Sequence, residues 1–134
     1  MKMEATVNDK PYKLDIPERT ATYSLSVIKL YRFLRGSDEG KILGKQLLRS
    51  ATSIGANVHE AQGAQSKADF IAKMSIAYKE AREADYWLKL VVKSELGNKE
   101  LLSLIQGETA QLLKILSSIL ITTKKHLSSQ RAHS

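Results

Sequence analysis

From Glu18 onward, apolar residues recur at every third or fourth position, and the pattern divides the chain into four amphipathic helices. The first is expected over about Glu18 to Arg35, with Asp15 and Glu18 at capping-box spacing, Pro17 in the first turn and Gly36 as the stop. After Gly36-Ser37-Asp38 a second helix should run from about Glu39 to Gly63. Ser66 and Asp69 form another capping box, opening a third helix that ends near Leu96. Gly97 then terminates it, and Asn98 caps a fourth helix reaching about Leu127. The connections are too short for anything but antiparallel neighbours, so the expected fold is an all-α, up-down-up-down four-helix bundle.

The third helix carries one regular seam, Phe70, Met74, Ala77, Ala81, Ala84, Leu88 and Val91, in alternating steps of four and three. That spacing favours left-handed bundle packing. The second offers Leu43, Leu47, Ala51, Ile54, Val58 and Ala61 on one face, among many small residues that permit close backbone approach and weaken the helix taken alone. In the fourth helix the apolar positions from Leu101 to Leu120 spread over about half the circumference, wider than the ~100° stripe a single core requires. Trp87 and Leu90 likewise fall off the main seam of the third helix. A thick monomer core is one explanation. Packing between subunits is the one adopted, with Trp87, Leu90, Leu104 and Ile115 as interface residues.

Composition narrows the picture. The 134 residues suit a single domain: a polar N-terminal arm at 1–17, the bundle at 18–127 and a flexible basic tail at 128–134. Cysteine is absent, which removes disulfides, thiolate metal sites and thiol nucleophiles and fits a reducing cytoplasm. The first residues read as neither a signal peptide nor a lipidation site, and no uninterrupted apolar run approaches the ~20 residues of a membrane span.

The helices carry no recognisable catalytic set. Carboxylate-bridged metal pairs in bundles use Glu-x-x-His, which does not occur here. Of His59, His126 and His133, only the first could face a bundle interior. No nucleophile elbow or Ser-x-x-Lys motif sits on suitable structure, and there is no phosphate-binding glycine loop, so neither an enzymatic site nor a cofactor is expected. Glu80 and Glu83 read as partners in ion pairs, and Glu108 as an edge carboxylate paired to an Arg or Lys of a neighbouring helix.

The formal charge of +7 draws the chain to polyanions, nucleic acid first. Lys41, Lys45 and Arg49 follow in steps of four, with no acid from Lys41 to His59. Lys79, Arg82, Lys89 and Lys93 form a second stripe with Tyr86 among them, suited to neutralising phosphates and stacking a base. After Glu108 there is no acid, while Lys114, Lys124, Lys125 and Arg131 accumulate. No recognition helix stands out, so binding by charge and shape is expected instead of base readout.

Two segments carry a resemblance: LGKQLLRSATSIGANVHEA from Leu43 to Ala61 and DFIAKMSIAYKEAREADYWLKLV from Asp69 to Val91. Over about residues 18–127 the chain resembles the small four-helix-bundle proteins encoded by intervening sequences in bacterial 23S ribosomal RNA genes. That family is in turn similar to the accessory proteins of diversity-generating retroelements, pentameric barrels that bind nucleic acid and a reverse transcriptase. The resemblance implies a homo-pentamer with a basic surface for RNA or DNA and transfers no catalytic residue. Arg49, Asn57, Glu60, Lys79, Glu80, Glu83 and Trp87 match the pattern, and Asn57 with Glu60 reads as a polar packing or interface pair. The expected function is thus a non-catalytic, cytoplasmic, oligomeric nucleic-acid-binding protein. Its rival is an adaptor bundle recruiting a protein such as a polymerase.

Overall fold

The computed structural model describes residues 16–132. Four helices account for nearly all of them: α1 (Ile16–Leu34), α2 (Asp38–Gln62), α3 (Lys67–Lys93) and α4 (Lys99–Ala132), with no strand among the described residues. Each helix packs against its neighbour in sequence and α4 closes back on α1, giving the antiparallel bundle the connections require. The α2–α3 packing is the most extensive and the α1–α4 packing the least.

The helix starts follow local chemistry. Ser37 is extended and its hydroxyl accepts from the Gly40 amide at 3.1 Å, so α2 begins one residue before Glu39. Ser66 caps α3 by accepting from Asp69 N at 3.0 Å, while the Asp69 carboxylate reaches back to the Gln65 amide at 3.3 Å. Asn98 Oδ1 accepts from Leu101 N at 2.9 Å and opens α4. The proposed cap Asp15 lies outside the described residues, and α1 is already helical at Ile16.

Two ends differ from the sequence expectation. The third helix stops at Lys93, before Leu96, in a Schellman motif: Leu96 N donates to Val91 O and Glu95 N to Val92 O. The left-handed residue is Glu95, at φ 59°, and Gly97, expected to be the terminator, contributes a second positive φ of 83°. The fourth helix continues past Leu127 to Ala132, so the described part of the expected tail is helical. At 1.5 Å per residue, 34 residues of α4 span about 51 Å against about 28 Å for the 19 of α1, and α4 outruns its neighbour.

The core takes one stripe from each helix. Tyr23, Val27, Leu30 and Leu34 of α1 meet Leu47, Ala51, Ile54 and Val58 of α2, the α3 seam from Met74 to Val91, and Leu102, Ile105, Leu112 and Leu116 of α4. Small residues set the approach between α1 and α2. A Cβ at Gly40 would lie 2.0 Å from the Leu34 carbonyl oxygen, and one at Gly44 would lie 2.8 Å from Tyr31 Cδ1. Most of the wide α4 arc is absorbed by the bundle itself. Leu101, Leu113, Ile115 and Ile119 are half-buried against the core, and only Leu104 and Ile121 stand exposed. Among the described residues α4 is the one helix long and apolar enough to cross a membrane by length and composition, with a mean hydropathy of 1.2 over 18 residues. Its core-facing residues are spent on the other three helices.

Candidate nucleic-acid interface

Arginine and lysine side chains reach water from all four helices, but their partners divide them into two groups. Arg49 of α2 spans to α3, where it pairs with Glu83 and lies 3.5 Å from Glu80 Oε1. Arg19 of α1 spans to α4, bonding Glu108 at 2.9 Å and Gln111 at 2.5 Å. These are the cross-helix ion pairs among the described residues, and both lie where α2 meets α3 or α4 meets α1. The other two described pairs, Lys73–Asp69 at 3.3 Å and Lys89–Asp85 at 3.0 Å, join successive turns of α3. Glu108 is therefore the edge carboxylate the sequence implied, with Arg19 as its partner.

Arg49, expected among the phosphate contacts, has two carboxylate neighbours on α3. Its hydrogen bond to Glu83, followed by the nearby Glu80 charge, pushes the guanidinium pKa upward against partial desolvation. Glu83 moves the other way, below the usual carboxylate value, held first by the Trp87 indole N–H at 3.1 Å and then by Arg49. A cation already hydrogen-bonded to one carboxylate and close to a second has less left for a phosphate. Lys89 is diluted in the same way by Asp85. Lys41, Lys45, Lys79, Arg82 and Lys93 are exposed and make no ion pair.

Helical phase places the free cations. Gly44 faces Tyr31 of α1, so Lys41 and Lys45, three before it and one after it, lie on the α1 side of α2. Arg35, one turn after Tyr31, joins them. On α3, Tyr78 borders α4, and Arg82, Lys89 and Lys93 follow it at helical spacing along that edge, flanked by Lys79 and by the exposed Tyr86. The expected stripes thus occupy the α1–α2 and α3–α4 faces, without Arg49.

The expected interface residues take the other two faces. Trp87 lies one turn beyond Glu83 on the α2 side of α3, its ring edge-on to Tyr86 with centroids 5.0 Å apart, and Leu90 follows three residues later. Leu104 and Ile115 stand one turn before Glu108 and one turn after Gln111, on the α1 side of α4. Leu104 is 59% exposed, whereas Trp87, Leu90 and Ile115 are half-buried. Asn57 and Glu60 are not bonded to each other; Asn57 Nδ2 donates to the Ser53 carbonyl of its own helix at 2.9 Å, and Glu60 is exposed. Two exposed apolar residues that sequence reasoning passed over belong with these faces, Phe33 on α1 and Ile42 on α2.

Sequence reasoning also missed a trough on the α3–α4 face. Two adjoining hollows of about 480 and 350 Å³ share Tyr78, Ser117 and Ile121, with Lys114 and Lys124 on their rims. The residues were visible in the sequence, but their convergence depends on the register of α3 against α4. No three His, Asp or Glu side chains converge in a metal-binding arrangement among the described residues.

The 23S rRNA-intervening sequence protein family matches residues 12–118. No curated protein matches the chain. A crystal structure from Bacteroides thetaiotaomicron, a protein of unknown function from the S23 ribosomal protein family, is 40% identical. It superposes with a TM-score of 0.73 over 78% of this chain and 97% of its own. The length of the family match and the agreement in fold lead to one conclusion: the chain belongs to the 23S rRNA-intervening sequence protein family.

Proposed function

We propose that this protein is a non-catalytic, cytoplasmic, oligomeric nucleic-acid-binding bundle. One observation carries the reading: the four outer faces alternate in character. On the α2–α3 and α4–α1 faces Arg49 and Arg19 pair with carboxylates across the helix boundary, and apolar side chains lie beside them. On the α1–α2 and α3–α4 faces no cross-helix ion pair forms among the described residues, and Lys41, Lys45, Arg82 and Lys93 stay free for an external anion while Lys89 pairs with Asp85.

In an up-down bundle the α2–α3 and α4–α1 faces are on opposite sides. Two different apolar faces that meet head to tail close into a ring when the rotation allows. Five subunits is the number the family resemblance suggests. Such a ring would leave both cationic faces open, to bind phosphate by counterion release without reading bases.

Absolute mass in solution and polynucleotide binding across a salt series test both halves. An oligomeric mass is expected, with log affinity falling linearly against log salt at about 0.7 to 0.9 per phosphate contacted. A monomer would remove the ring, and an affinity insensitive to salt would remove the phosphate contacts. A protein partner that stays bound after nuclease treatment, with no polynucleotide binding by the pure chain, would favour the adaptor reading.

A further inference from the structure

Building on the nucleic-acid reading above, we infer that the trough between α3 and α4 is a track for single-stranded RNA. Three independent features converge on it. The first is charge: Lys114 and Lys124 rise from the rim, Arg82 and Lys93 continue along the α3 edge, and all four are exposed and without a carboxylate partner. The single acid beside them, Asp85, is held by Lys89.

The second is a set of unused hydroxyls. Ser24, Ser50, Thr52, Thr109 and Thr123 each return a hydroxyl to a carbonyl of their own helix. Ser75, Ser117 and Thr122, which line the trough, make no hydrogen bond within the protein, and neither does the Tyr78 hydroxyl. A row of donors beside lysines suits phosphate oxygens. It also suits a ribose 2′-hydroxyl, which both donates and accepts and which DNA lacks.

The third is shape and apolar surface. Packed helices run with axes ~8–10 Å apart, so the trough between them admits one strand but not the breadth of a duplex. Ile121, 56% exposed on its floor, and Tyr86, 55% exposed on the adjoining edge, offer surfaces on which an unpaired base can rest. The α1–α2 face has free cations, but its hollow is lined largely by small residues and no tyrosine.

Fluorescence anisotropy of the full chain with a labelled 20-nucleotide oligouridylate at ~100 mM salt decides the matter. Lys114→Glu with Lys124→Glu is expected to weaken binding at least tenfold and to flatten the salt slope by about 1.4, the ~0.7 per contact of a single strand counted twice. Lys41→Glu with Lys45→Glu, an equal charge change on the other cationic face, should weaken binding by a clearly smaller factor. Oligodeoxyuridylate should bind several-fold more weakly than the ribose oligomer. Equal losses in the two charge variants, or a loss confined to the Lys41 and Lys45 variant, would overturn the trough as the track. Equal binding of RNA and DNA would overturn its assignment to RNA. Wild-type protein that binds no polynucleotide at all would instead sink the nucleic-acid reading on which the inference rests. The four substituted lysines are exposed and unpaired, and an unchanged unfolding temperature confirms that each variant is folded.

Discussion

The Tyr23 hydroxyl lies 2.7 Å from Thr109 Oγ1, in the core between α1 and α4. Thr109 commits its own proton to the Ile105 carbonyl at 2.7 Å, so the tyrosine must be the donor in this pair. The bond ties α1 to α4, the least extensive of the four neighbour contacts, and burial pushes the Tyr23 pKa up to about 12.

That pair makes stability sensitive to alkali. Below pH 10 tyrosine is neutral in both states and the buried bond contributes fully. Between about 10 and 12 the unfolded chain releases the proton while the fold still holds it, so stability falls, by roughly 3 kcal/mol at most. Tyr23→Phe should cost about 1 kcal/mol at neutral pH. It should also lose this part of the alkaline decline, as read from denaturant unfolding at pH 8 to 12. Parallel wild-type and variant curves across that range would contradict the assignment.

Trp87 is the only tryptophan, so its emission reports the Glu83 carboxylate directly. Glu83 is held below its ordinary value of 4.5, first by the indole N–H and then by Arg49. A depressed carboxylate stabilises the fold above its unfolded value and loses that contribution as pH falls through the folded one. The emission should therefore step at a midpoint below 4.5 in the wild type and show no such step in Glu83→Gln. A midpoint at or above 4.5 would mean that the two partners do not hold the carboxylate in solution.

Backbone positions of opposite character give a paired prediction. A Cβ at Gly107 would meet nothing within 4 Å in an exposed stretch of α4, so Gly107→Ala should stabilise by about 0.5–1 kcal/mol through helix propensity. Glu95→Gly should add a similar amount by relieving a left-handed side chain. Gly40→Ala instead drives a methyl onto the Leu34 carbonyl and should destabilise by more than ~1–3 kcal/mol, the ordinary cost of overpacking. Thermal unfolding of the three variants orders them, and a stabilised Gly40→Ala would show that α1 and α2 have room to part.

The seams were legible in the sequence because they depend on one helix at a time. The steps of four and three on α3 put Met74, Ala77, Ala81, Ala84, Leu88 and Val91 in the core as written. The serine cap at 66 and the asparagine cap at 98 work for the same local reason. What depends on two helices was less visible. Arg49 has no acid near it in sequence, and its carboxylates arrive from 31 and 34 residues away only once α2 and α3 are in register. The α3 end was misplaced because a glycine attracts the expectation of a left-handed turn, whereas Glu95 takes that conformation to complete the Schellman bonds. The width of the α4 arc was overestimated as surplus, since Leu113, Ile115 and Ile119 lean back onto the core.

What remains of that surplus is specific enough to test the proposed ring. Leu104 is exposed beside the Arg19–Glu108 pair on the α4–α1 face, and Ile121 is comparably exposed on the α3–α4 face. Both sit on α4 and both are open to water, so a charge at either should leave the monomer's own core intact. A ring built on the α2–α3 and α4–α1 faces would bury Leu104 and not Ile121. Leu104→Glu should then lower the mass in solution toward that of one 14.9 kDa chain, while Ile121→Glu leaves the assembly unchanged. The reverse result, or an unaltered mass in both variants, would place the subunit contact elsewhere. It would also free the α4–α1 face to act as a docking surface for a different protein.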